Sequence, residues 1–320
     1  MKIVILGNTE MLSNLIEGVK NSNHEIVAVL RYDKILYSKF RLFFKDLLKN
    51  SNSLTLIKKY KLNEIKCKSA NSEQFKKEIL RLNADLILVG SWGERLSQTV
   101  INLPKIATVN VHPSLLPKYR GPNPYIQTIK NHDTKSGLTF HLMEKEFDTG
   151  GILLQKEIEI LPHYTSKELR SATTYQARLS CSQLLDDLEN GITIPIKQNE
   201  KNASYYKNIN PAEMMIDFNS ENAEQICDKI RAFHPFLPCY ISYKNKFFVP
   251  NPYKLKIIES NHQNIGEIIS KNHKTGTLTY QCINGKAIEF SDLRLYALCK
   301  LSYSKAFTRF FIKHIINMNL

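Results

Sequence analysis

An asparagine and a histidine two residues apart, Asn110 and His112, close the run Ala107-Thr-Val-Asn-Val-His112, and a proline follows them. A run of β-forming residues reads as a strand, and Pro113 cannot donate the next ladder hydrogen bond, so the strand ends there. Side chains alternate along a strand, which sends the carboxamide and the imidazole to the same side. An amide donor and a ring that can carry a proton near neutral pH suit a place where a carbonyl is attacked and its oxygen turns negative. Farther on, Glu146-Phe-Asp-Thr-Gly-Gly151 puts Asp148 in a glycine-ended turn, free to fold back over the strand end. Asn-x-His alone says little, because a histidine at a strand end is more often a hydrogen-bonded structural residue.

The joint pattern is specific: Asn110-Val-His112, then Ser114-Leu-Leu-Pro117, then Arg120-Gly121, then Asp148-Thr-Gly150. With it the chain resembles the folate-dependent formyltransferase family, which includes enzymes acting on methionyl-tRNA, on amino-sugar nucleotides and on glycinamide ribonucleotide. The resemblance runs nearly the whole length, through Gly7-Asn8-Thr9 after the first strand, Trp92-Gly93 to Leu96, the helix of Thr165 to Gly191, Ile216-Asp-Phe218 and His234-Pro-Phe236. It implies an α/β fold, a Rossmann-like, mostly parallel sheet forming the formyltransferase domain, followed by a small OB-like β-barrel. The boundaries expected are 1–200 for the catalytic domain, 201–213 for a connector and 214–320 for the barrel with a terminal helix.

The resemblance also implies chemistry. The formyl donor is 10-formyltetrahydrofolate, with no metal. Asn110 offers a neutral oxyanion donor, His112 a titratable one, and Asp148 orients His112, favours its protonated form and relays protons from the attacking amine. The pterin slot falls by position on Trp92, Gly93, Leu96, Leu142 and Phe147, though Trp92 reads equally well as a core aromatic. The acceptor is methionyl-tRNA or an amino-sugar nucleotide. A second domain, the full-length match and the basic charge favour the tRNA. Pro113 where those enzymes usually have glycine, Gly121-Pro-Asn-Pro124 in place of Gly-Ala-Ala-Pro, and a different segment after the second strand favour the sugar. Hydrolysis of the donor by water, or a non-catalytic nucleic-acid-binding module, are the remaining readings.

The elements that must position these residues alternate. Lys2 to Leu6, Ile26 to Leu30, Asp85 to Val89 and Ala107 to Val111 read as strands, with helices near Glu10 to Lys20 and Ser72 to Leu82, the pattern of a parallel sheet covered by helices. Gly137 to Met143 and Gly151 to Ile160 read as strands flanking the Asp148 turn, and Thr165 with Glu168 has the form of a capping box. A single Gly7 falls short of Gly-x-Gly-x-x-Gly, which argues against a dinucleotide cofactor. Glu221 to Phe233 reads as a helix, and six short strands follow, with Asn284-Gly285 as a hairpin turn.

Composition agrees: 320 residues, 42 % hydrophobic and 23 % charged, suit two globular domains. No apolar stretch approaches the roughly 20 residues of a membrane helix, so no membrane partner and a cytoplasmic setting are expected. Cys67, Cys181, Cys227, Cys239, Cys282 and Cys299 form no Cys-x-x-Cys pair and read as reduced thiols. A net charge of +14 points to an anionic partner. Basic and aromatic residues alternate from Arg31 to Lys49, which suits either nucleic-acid contact or an amphipathic helix with a solvated basic face. The acid-free tail from Lys300 reads as a helix on the barrel, or secondarily as a nucleic-acid face.

Overall fold

Apolar runs alternating with stretches of helical periodicity build strand, helix and strand in turn. The structure is a computed structural model that describes residues 1–36, 52–243, 246–272 and 276–295. Two compact units divide the chain. One holds Met1–Pro124, Lys135–Glu159 and Arg170–Lys207, the other Tyr125–Thr134, Ile160–Leu169 and the residues from Asn208.

The first unit carries β1 (Lys2–Gly7), α1 (Thr9–Lys20), β2 (Glu25–Arg31), α2 (Tyr32–Leu36), α3 (Asn52–Lys59), α4 (Glu73–Leu82), β3 (Leu86–Gly90), α5 (Gln98–Ile101), β4 (Ala107–His112), β5 (Lys135–Leu142) and β6 (Ile152–Glu159). Its sheet has the order β2-β1-β3-β4-β5-β6. The first four strands are parallel, while β5 and β6 join antiparallel. Central strands are apolar on both faces: Ile3, Ile5, Leu86 and Leu88 enter one core cluster, Val4, Leu6, Ile87 and Val89 the other. At β4 this changes, because Val109 and Val111 continue the first cluster while Asn110 and His112 take the opposite face. The apolar cover therefore ends where the polar groups begin.

Helix ends follow their sequence signals. Ser72 caps α4 by accepting the Phe75 N–H, and the Thr165 N–H donates to Glu168 at the start of α7 (Ser166–Glu189). Gly18 of α1 lies so close to α7 that a Cβ there would stand 2.7 Å from the Cys181 Cβ and 2.9 Å from the Arg178 carbonyl oxygen.

The second unit takes in nearly all of α6 (Pro124–Lys130). In the second unit, Asn222 and Gln225 form a capping box opening α8 (Ala223–Phe233), which buries Ile226, Ile230 and Phe233. Two antiparallel sheets make the small barrel: β10 (Ile268–Asn272), β11 (Thr277–Gln281), β12 (Lys286–Phe290) and β9 (Leu255–Glu259) in one, β13 (Arg294–Leu295), β8 (Lys246–Val249) and β7 (Ile241–Tyr243) in the other. Phe218 stacks on Tyr280 at 4.5 Å inside it. Asn284 and Gly285 both have φ above +60°, as the hairpin turn requires.

Arg31, the first residue of the basic and aromatic segment, is buried and paired with Glu64, Nε to Oε1 at 2.6 Å. It is therefore a core ion pair rather than a contact for nucleic acid. Residues 37–51 and the tail from Lys300, with Cys299, lie outside the described residues, and among the described residues Cys67, Cys181, Cys227, Cys239 and Cys282 form no disulfide. Among the described residues no helix is long and apolar enough to cross a membrane.

Candidate active site

Register decides what Asn110 meets. Asn110 pairs directly with His141 across the β4–β5 ladder, and His112 pairs with Thr139, so these four side chains share the polar face. His141 Nδ1 lies 2.8 Å from the Leu142 carbonyl and can only donate to it, which leaves Nε2 to accept from the Asn110 amide at 3.1 Å. Burial pushes the His141 imidazole down to about 4, against the pull of the Asp148 carboxylate. His141 is thus a neutral acceptor that fixes which end of the Asn110 amide is the donor.

His112 is held from two sides. Its Nε2–H donates to the Tyr119 carbonyl at 2.9 Å, and its Nδ1 faces Asp148 Oδ1 at 3.4 Å. Both neighbours are acceptors, so the ring serves both only when it carries two protons. Asp148 reaches this place because the turn folds back along β4. Its φ is +58°, and its Oδ2 accepts the Gly121 N–H at 2.9 Å. The same Oδ1 stands 3.8 Å from His141 Nε2. Gly121 itself has φ +110°, and a Cβ there would fall 2.1 Å from the Tyr206 carbonyl oxygen, so no other residue fits.

The structure thus brings Asn110, His112 and Asp148 into one cluster. Trp92 and Gly93 form a second group with Tyr32, whose ring lies 4.8 Å from the Trp92 ring. Burial, with the nearby Glu94 carboxylate adding to it, raises the Tyr32 phenol above its ordinary range. Phe147 is exposed, and the Arg95 guanidinium stands 5.5 Å from its ring centre while donating to the Lys145 carbonyl. Arg95 therefore draws the 92–96 segment to the 142–147 loop. Leu96, by contrast, is 3 % exposed and belongs to the core, and Leu142 packs partly on the core beneath β4. A cleft of about 390 Å³ beside the Asp148 turn is lined by Leu142, Thr149, Lys197 and Glu200 among others, and Trp92, Gly93, Leu96 and Phe147 are not part of it.

The residues present fit a folate. The Trp92 Nε1 donor is buried with no partner, and the Arg95 guanidinium of the same segment stands against the exposed Phe147 ring of the 142–147 loop. Sequence reading missed His141 and Arg95. His141 follows the strand alternation from Thr139, but its pairing with Asn110 depends on register, which no local signal carries.

The formyl transferase family model matches residues 1–182, and the formyl transferase C-terminal domain matches 208–309. The methionyl-tRNA formyltransferase of Buchnera aphidicola is 28 % identical over 319 residues, covering 95 % of this chain and 96 % of that protein. Its counterpart in Ehrlichia canis is 32 % identical over 264 residues, covering 82 % and 81 %. Among solved structures, WlaRD, a sugar 3N-formyl transferase in the presence of dTDP and 5-N-formyl-THF, matches with a TM-score of 0.64 at 20 % identity, over 91 % of this chain and 97 % of that one. HypX from Aquifex aeolicus with tetrahydrofolic acid matches at 0.62 and 15 %, over 92 % of this chain, which spans 44 % of HypX.

Proposed function

The chain belongs to the formyl transferase family, and from that membership we propose that it moves the formyl group of 10-formyltetrahydrofolate to a primary amine, that of methionyl-tRNA. The convergence of Asn110, His112 and Asp148 on one face of the β4–β5 ladder carries this reading. Bound at Trp92, Gly93 and the 142–147 loop, the folate would supply an activated formyl carbonyl. Asn110, its amide oriented by His141, donates to the negative charge that develops on the carbonyl oxygen, a contribution of about 3 kcal/mol for a preorganised donor. His112 gives a proton to the folate nitrogen as its bond to the formyl carbon breaks, and Asp148, facing Nδ1, orients the ring and takes up by way of water the proton that the amine loses. The acceptor rests on similarity over 95 % of the chain to an enzyme named for methionyl-tRNA, and on the net charge of +14. The same reading puts the protein in the cytoplasm with its thiols reduced.

An amino-sugar nucleotide is the second acceptor, favoured by Pro113 and by Gly121-Pro-Asn-Pro124. Labelled formyl donor offered with methionyl-tRNA, with amino-sugar nucleotides, and with neither, decides among the readings. Label on methionyl-tRNA is the expected result. Label on the sugar replaces the acceptor, free labelled formate without acceptor means hydrolysis, and no transfer leaves a binding module. The donor side has its own measurement: Trp92 is the chain's one tryptophan, so its fluorescence should change on adding 5-formyltetrahydrofolate.

A further inference from the structure

The segment leaving the first unit's last helix does not simply lead away from the site. Ser204 and Tyr206 hydrogen-bond the loop after β4: the Arg120 N–H donates to the Ser204 carbonyl at 2.9 Å, and the Tyr206 N–H to the Arg120 carbonyl at 3.0 Å. Between them and the Asp148 turn stands Gln198, which is 5 % exposed. Its Nε2 donates to the carbonyls of Asp148 and Gly150, each at 2.8 Å. Its Oε1 accepts from Arg120 Nε at 3.2 Å and Nη2 at 2.7 Å. Arg120 in turn makes a two-pronged pair with Glu200, 2.8 Å and 2.7 Å.

Both donors and both acceptor positions of the Gln198 amide are filled, which is the full capacity of that group. The bonds close a ring: Asp148 Oδ2 to the Gly121 amide, Arg120 beside it in the chain, Arg120 to Gln198, and Gln198 back to the Asp148 carbonyl. Asp148 needs such a hold, because its backbone sits in the left-handed region, a conformation that persists in a non-glycine residue only where surroundings enforce it. A buried, fully satisfied network of this kind is rigid, and its geometry is lost when one member goes.

We infer that Gln198 is a positioning residue for the transfer reaction: held by Arg120, it clamps the backbone at Asp148 and just after it, at Gly150, aiming the carboxylate at His112. The inference rests on the reading of Asp148 as a catalytic group. It acts through geometry, so its loss should lower kcat and leave the donor's KM at the wild-type value. A misplacement of about 1 Å at a reacting group costs on the order of 100-fold, which is the drop expected.

The test measures kcat and KM of the full chain for Gln198→Met, which keeps the length without polar atoms, and for Gln198→Glu, which keeps the shape but cannot donate to the two carbonyls. Both are also made in an Asp148→Asn background, with circular dichroism to establish that each variant folds. Both single variants should lose about 100-fold in kcat, and neither should slow Asp148→Asn further, because the clamp acts only through that carboxylate. Wild-type kcat in either folded variant, while Asp148→Asn is impaired, overturns the clamp alone. A full additional loss in the double variant overturns it too, by showing a general structural role. Wild-type turnover in Asp148→Asn removes the catalytic reading and the inference with it.

Discussion

His112 and Asp148 face each other as ring nitrogen and carboxylate, and each has a second anchor: the Tyr119 carbonyl for one and the Gly121 amide for the other. His112→Ala or Asp148→Ala should lower turnover with 10-formyltetrahydrofolate and methionyl-tRNA by about 100-fold or more, within the range for general acid–base groups, while the circular dichroism spectrum stays native. Wild-type rates in both would sink the assignment. His141 makes a different prediction. It is neutral in the fold and titrates at about 4, against 6.5 as an ordinary imidazole. A histidine depressed in this way contributes stability that is complete above pH 6.5 and is lost as the pH falls towards 4, on the order of 2 to 3 kcal/mol. Urea unfolding at pH 7, 5.5 and 4 should show that loss, and His141→Phe should flatten the same stretch of the profile.

At the level of elements, the site depends on a sheet whose apolar cover on one face stops at β4, leaving that face to the half-buried Asn110 and the buried His112. The close approach of α1 and α7 secures the opposite layer, and Gly18 permits it. Gly18→Ala gains about 1 kcal/mol in helix propensity, but its Cβ would press on the Cys181 Cβ and on the backbone at Arg178, which cannot swing aside. Overpacking against backbone typically costs 1 to 3 kcal/mol, roughly, so the net change should be destabilising. The urea midpoint decides: an unchanged or higher midpoint means the helices have room to separate.

For the whole molecule, charge separates the two acceptors. A chain of net charge +14 that takes a tRNA must release counterions from several phosphates, so the KM for methionyl-tRNA should rise steeply between about 50 and 200 mM salt. A sugar nucleotide, with its two phosphates, should show a much shallower dependence. Measuring KM for both acceptors over that range tests the tRNA assignment without any substitution. Two of the thiols are inert in such assays: burial pushes Cys181 and Cys239 up to about 12, so they stay protonated at neutral pH.

Local signals in the chain were enough to determine much of this protein. Alternation placed Asn110 and His112 on one side of a strand that Pro113 ends, apolar runs on both faces marked the buried parallel strands, and Ser72, Thr165 with Glu168, and Asn284-Gly285 announced helix starts and a hairpin. These are short-range effects of backbone geometry and side-chain period, which neighbours in sequence suffice to express. Tertiary structure alone decided the rest. That Asn110 finds His141 follows from the register of an antiparallel partner 31 residues away. That Leu96 sinks into the core, Arg31 into an ion pair, and Gln198 into a ring around Asp148 follows from which surfaces meet, and those meetings are set by packing between segments 33 to 78 residues apart, a distance no local periodicity spans.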